Sequence, residues 1–288
     1  MKAFSTWSPG YTLVEMAISV VITAVILGTA ISPVLNAERS WNRSQESLDI
    51  TQNTRAALEM MVRDLRMAGS GVGGTSVTTG GVPGNRMHVL EPGPALGNPD
   101  TLHILASLDG VRSFISVSMP SASSILRVDD ESAFKAGDLI VVSGRSRADL
   151  FEVTSVNSQP KQLVLASSSP YNRIQDHDLW PAGGYPVGSR VSRVERVSYW
   201  VDEENGVTRL YRRVNSEAPV PIACGVDDLA VRYILQDGST TDSPDDPDLI
   251  RSVELEYAGR VDRKSYGTTG LTDCRPFKVQ IQPRVLGT

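Results

Sequence analysis

The sequence feature that most restricts this chain is an apolar run close to its start, broken by a single acid. From Met16 to Ile31 no side chain is charged, and only Ser19, Thr23, Gly28 and Thr29 interrupt the aliphatic and small apolar residues. Residues 11–35 count 25 positions (35 − 11 + 1). As a helix they would reach roughly 37 Å, and a bilayer core needs about 20 apolar residues. In hydrocarbon a helix satisfies its own backbone polar groups. The length and composition therefore predict a transmembrane helix over 11–35. Glu15 sits in its first turn, where a lone carboxylate is costly unless something pairs with it.

Gly10, Tyr11, Thr12, Leu13, Val14 and Glu15 stand in succession after a short leader that carries Lys2. The leader, glycine, aromatic, glutamate and apolar helix together resemble the N-terminus of type IV prepilins and type II secretion pseudopilins. The pattern departs from the family in two places: Tyr11 stands where Phe is commonest, and Pro9 precedes the glycine. The resemblance implies cleavage by a prepilin peptidase between Gly10 and Tyr11, and N-methylation of Tyr11. It also implies that Glu15 pairs with the amino terminus of a neighbouring subunit, cancelling two charges in a low-dielectric bundle. It places the chain in the inner (cytoplasmic) membrane as a single-pass protein with its body in the periplasm, and later in a pilus or pseudopilus. Charge alone decides orientation poorly, because Lys2 precedes the run while Arg39 and Arg43 follow it. A secretory leader would carry its apolar region before the cut rather than after it.

Pro33 predicts a stop or a bend near the end of the run. Residues 36–69 continue as a polar helix. Leu58, Met61, Val62 and Leu65 fall at i, i+3, i+4 and i+7, which gives one apolar stripe for a sheet to cover. Glu59 and Arg63 form an i,i+4 pair in the favourable order. The segment 54–69 is also similar to minor pilins of the PilW kind and to the J-class pseudopilin. Gly69 suits a left-handed helix end. The spacing Gly69, Gly71, Gly74 matches a dinucleotide fingerprint but follows a helix instead of a strand, so it reads as the start of a Gly/Pro-rich loop over 70–100.

Beyond residue 100 the pattern is that of strands. Short aliphatic runs bounded by turn residues occupy 101–106, 113–119, 125–129, 138–143, 150–156 and 162–166. Longer ones occupy 190–201, 208–214, 228–235, 250–257 and 277–285. Leu229, Val231, Tyr233 and Leu235 alternate with polar residues, as do Val253, Leu255 and Tyr257, and Phe277, Val279 and Ile281. Such alternation suits an antiparallel sheet with one buried face. Asn205 and Gly206 signal a hairpin, and 138–156 reads as another, turning near 143–147. The expected fold is α+β and pilin-like. Its long N-terminal helix, membrane-spanning in the first half, packs on an antiparallel β-sheet body over 101–288, and a β-rich insertion occupies about 101–170.

The body shows no catalytic signature. His88, His103 and His177 are far apart, and no nucleophile elbow, Walker loop or Cys-x-x-Cys is present. Asp176, His177 and Asp178 read as a solvated loop. Asp242, Asp245, Asp246 and Asp248 crowd one acidic stretch without the spacing of an EF-hand. No metal ligands or cofactor are assigned, with calcium left open at that stretch. A net charge of −5 and a sequence pI near 5.3 argue against a nucleic-acid surface. Cys224 and Cys274 could join in a disulfide closing about 50 residues, or remain two separate thiols. Together with the resemblance of the N-terminus, these features set the expectation of a non-enzymatic minor pilin that joins or primes a type IV pilus, with a minor pseudopilin of a type II secretion system as the alternative. A membrane-anchored enzyme or lectin stands third, since Trp180, Tyr185, Tyr199 and Trp200 are too scattered for a sugar platform. Expected partners are prepilin peptidase, other pilins through their N-terminal helices, and the inner membrane.

Overall fold

The computed structural model describes residues 12–79, 85–95, 98–119, 125–144, 147–172, 184–204, 207–261, 272–273 and 277–283. The chain opens with α1 (Leu13–Met67), followed by β1 (Ser76–Thr79), β2 (Arg86–His88), β3 (Leu90–Ala95), β4 (Asn98–Ala106) and β5 (Arg112–Phe114). The middle holds β6 (Ile125–Arg127), β7 (Leu139–Ser143), β8 (Ala148–Glu152), β9 (Ser155–Ser158) and β10 (Lys161–Val164). Then come β11 (Arg190–Glu204), β12 (Val207–Val214), β13 (Val220–Cys224), β14 (Val226–Leu235) and β15 (Thr240–Thr241). A 3-10 turn, Pro247–Leu249, leads into β16 (Ile250–Val261), β17 (Thr272–Asp273) and β18 (Phe277–Ile281). Two compact units divide the chain, Met1–Asp49 and Ile50–Thr288.

Sheet dominates: the described residues hold eighteen strands and a single α-helix. That corrects the expected α+β fold organised on its N-terminal helix. The ten-stranded sheet is also mixed: β1 runs antiparallel to β2 but parallel to β8, at Thr78↔Asp149 and Thr79↔Leu150. No helix among the described residues is long and apolar enough to cross a membrane. The membrane-spanning first half of the helix, the transmembrane segment over 11–35 and the single-pass inner-membrane location are corrected with it. Glu15 lies in the first turn of α1, inside the expected span, and a carboxylate is costly in hydrocarbon.

The stretch read as a Gly/Pro-rich connection over 70–100 instead forms β1, β2, β3 and the start of β4. Val72, Val77, Met87, Val89 and Leu90 are buried there, spaced too irregularly to show a period. Nor is 101–170 an insertion. Strands β4, β5, β7 and β8 belong to the large sheet, and only β6, β9 and β10 form a separate three-stranded one.

β11 is the hub, pairing antiparallel with β12, β4, β7 and β5 along its 15 residues. The hairpin signalled by Asn205 and Gly206 closes with Glu204↔Val207 in register, although the two turn residues lie outside the described set. A five-stranded sheet holds β14, β15, β16, β17 and β18, where Val231↔Leu255 and Leu255↔Val279 set the alternating apolar residues side by side.

Two cores flank the middle of the large sheet. The larger one gathers Met61, Leu65, Leu102, Ile104, Val197, Tyr199, Leu229 and Val253 from helix and both sheets. The smaller one gathers Ile115, Leu126, Phe134, Phe151 and Leu163 around the three-stranded sheet. Strand β7 divides them, sending Leu139 and Val141 into the first and Ile140 and Val142 into the second. A strand covered on both faces reads as a continuous apolar run, which is the character of Leu139, Ile140, Val141 and Val142.

Candidate assembly site

The beginning of α1 is where chemistry and exposure coincide. Thr12 Oγ1 accepts the Glu15 N–H at 3.3 Å, the N-cap arrangement for a donor that the helix itself leaves unpaired. Ser19 Oγ donates to the Glu15 carbonyl at 2.8 Å, and Thr23 Oγ1 donates to the Ser19 carbonyl at 2.7 Å. Both hydroxyls are thereby turned onto the helix's own backbone. What remains on the outside is aliphatic. Leu13 is 89% exposed, and Val14, Met16, Ile18, Val20, Val21, Ile22, Val25, Ile26 and Leu27 lie between 53% and 68%. These residues occupy every side of the helix, not one stripe. A helix that is apolar all round belongs in a buried setting. Covering ten such side chains at roughly 1 kcal/mol each would yield on the order of 10 kcal/mol before the entropic cost of association. Glu15 is exposed in the first turn, and among the described residues no cation pairs with its carboxylate. Gly10 and Tyr11, the expected cleavage and methylation positions, lie outside the described residues.

The far end of α1 behaves in the opposite way. Ala57, Met61, Leu65 and Ala68 are at most 2% exposed, with Leu58 and Val62 packed beside them. Asp64 lies on the same face and is 4% exposed. Its Oδ2 accepts from Tyr199 Oη at 2.6 Å and from Arg212 Nη2 at 3.0 Å, while Arg212 Nε reaches Tyr199 Oη at 3.0 Å. Burial and the neighbouring Asp64 carboxylate push the Tyr199 phenol well above its ordinary range. This clasp joins helix to β11 and β12. An acid inside an otherwise apolar stripe was the available signal for it.

The remaining sequence candidates are dispersed. Cys224 is exposed on β13, and Cys274 lies outside the described residues, as do Asp176, His177 and Asp178. Asp248 is held by Arg86 and His88, each at 3.1 Å, and accepts from Ser76. Burial raises its carboxyl, but hydrogen bonds from Thr75 and His88 outweigh that and leave it below the usual range. Asp242 instead faces Arg232 at 3.7 Å. Among the described residues no group of three His, Cys, Asp or Glu is placed to hold a metal. His103 is buried with Nδ1 2.8 Å from Ser198 Oγ; burial, then Arg196 and Arg213, bring its pKa down to about 4.

A second buried acid holds the end of the β7–β8 hairpin. Asp149 is 2% exposed and is bonded by Tyr185 Oη and by Arg147 Nε, the latter at 2.7 Å. Burial raises its carboxyl against the pull of both partners. Both acids are bonded by neighbouring side chains and read as tethers. No family model matches the chain, and no curated protein matches it.

Proposed function

We propose that the chain is a minor pilin, a structural subunit that assembles through its N-terminal helix with the helices of other pilins into a type IV pilus, or primes one. The observation that carries this reading is the apolar surface on every side of residues 13–27, which no part of the described chain covers. Helices of sister subunits offer such a surface dispersion contacts and relief from water. In this reading prepilin peptidase cuts after Gly10, Tyr11 becomes the methylated amino terminus, and Glu15 meets the amine of a neighbour. The ion pair answers the cost of an acid in an apolar bundle. A minor pseudopilin of a type II secretion system is the second reading. It is favoured by the likeness of segment 54–69 to the J-class pseudopilin, and it uses the same helix.

The test has two parts. Mass spectrometry of the mature protein should find an N-terminus at methylated Tyr11; a chain that still begins at Met1 defeats the reading. Glu15→Leu should leave the folded body unchanged but keep the subunit out of filaments, and normal incorporation contradicts the pairing role. Loss of the host's pilus motor distinguishes a pilus subunit from a secretion pseudopilin.

A further inference from the structure

A polar cleft of about 350 Å³ opens at the parallel junction of β1 and β8. The two strands pair only at residues 78–79 and 149–150, and the segments leading into them border the cleft. The backbone of Gly73 and Gly74 forms part of its lining, and Gly73 takes φ of +82°. Among the described residues no acceptor takes the Gly73 or Gly74 N–H.

The charge of the lining agrees with the backbone. Arg86 and Arg147 border the cleft and, among the described residues, no carboxylate does, in a chain whose net charge is −5. Asp248 and Asp149 hold these two guanidinium groups from outside the lining, at 3.1 and 2.7 Å. A third arginine completes the set. Arg190 stands opposite Ser143 in the β7–β11 register, and Ser143 lines the cleft. The Arg190 Nη2 would be only 3.3 Å from a Cβ placed on Gly73, so it reaches the glycine backbone because that position has no side chain. Its Nε is buried and has no partner among the described residues. A buried donor without an acceptor is costly, and an anion beside the guanidinium lessens that cost.

We infer that this cleft binds a small oxyanion, a phosphate or carboxylate group of a free small molecule, between the Gly73 and Gly74 amides and the Arg190 guanidinium. On one wall the Thr75 and Ser76 hydroxyls are donated to Asp248 and the Thr78 hydroxyl to Asp149, which leaves the Gly73 and Gly74 amides and Arg190 as the groups for the anion. The lining shares no residue with the apolar segment 13–27, so assembly and binding can fail separately.

Isothermal titration of the full chain in detergent tests it, with inorganic phosphate in one arm and acetate in the other. Ionic strength is held constant with sodium chloride. Saturable binding should appear in one arm, and that arm identifies the group. Arg190→Gln should weaken it by at least about tenfold, the loss expected of a charge-assisted pair. Gly74→Met supplies a second variant, because a Cβ there meets nothing closer than 3.9 Å and the longer side chain occupies the cleft. It should abolish binding while the melting temperature without ligand stays unchanged. No saturable heat in either arm up to roughly 10 mM, an affinity near the weakest specific binding, overturns the inference. So does undiminished binding in Arg190→Gln or in Gly74→Met.

Discussion

The two ends of α1 are made of one continuous helix and have opposite relations to water. Residues 13–27 carry aliphatic side chains on every side and leave them more than half exposed. Residues 57–68 carry an apolar stripe that is at most 2% exposed at Ala57, Met61, Leu65 and Ala68. Each end also sets an acid among its apolar residues, Glu15 at the near end and Asp64 at the far one. Asp64 has found Tyr199 and Arg212 within its own chain, whereas Glu15 has no cation among the described residues. The contrast teaches that the far end completes the fold of this molecule, whereas nothing among the described residues covers the near end.

Substitutions sharpen that contrast. The largest effect is expected at Met61→Ala, which should cost about 3 kcal/mol in denaturant unfolding through the cavity it leaves. Ile22→Ala should change unfolding of the isolated chain by no more than about 0.5 kcal/mol, as exposed positions do. Equal losses at the two sites would erase the distinction. Asp64→Ala comes close behind, at about 3 kcal/mol, because Arg212 and Tyr199 lose the carboxylate they share. Asp64 restored by charge-neutral Asn should recover only part of it.

An intermediate effect depends on pH. The His103 pKa falls from 6.5 to about 4 on folding, so the unfolded chain binds a proton first as pH drops. Stability is therefore full above pH 6.5 and declines between 6.5 and about 4, by on the order of 2 kcal/mol from this residue. His103→Asn should flatten that part of the pH profile; an unchanged slope would mean another group carries it. Among the buried positions the smallest effect is Tyr199→Phe. It should lose about 1 kcal/mol, since Arg212 still reaches Asp64 directly.

The sequence disclosed periodic features and missed those that depend on long-range pairing. Leu58, Met61, Val62 and Leu65 announced a buried helical face, and the alternation at 229–235 and 253–257 announced the centre of the five-stranded sheet. Asn205 and Gly206 placed the β11–β12 hairpin. By contrast, β1 and β2 are four and three residues long, too short to show any period. They are held by a neighbour far along the chain, β8, and by Asp248 reaching Arg86 and His88 across some 160 positions. The candidate assembly surface was legible as composition, yet its count of apolar residues gave a membrane span that the described helix does not supply. The arginine cleft was invisible, because Arg86, Arg147 and Arg190 meet only when three separate strands are aligned.

Sequence alone determined that residues 13–27 form a helix without a polar side and that the body is built of strands, since both follow from local spacing of side chains. Tertiary structure decided which strands meet, that β7 separates two cores, and where Asp64 and Arg190 find or lack partners. Spacing acts within a few residues of the backbone, whereas pairing and burial depend on segments that are distant in sequence and become neighbours only in the folded chain.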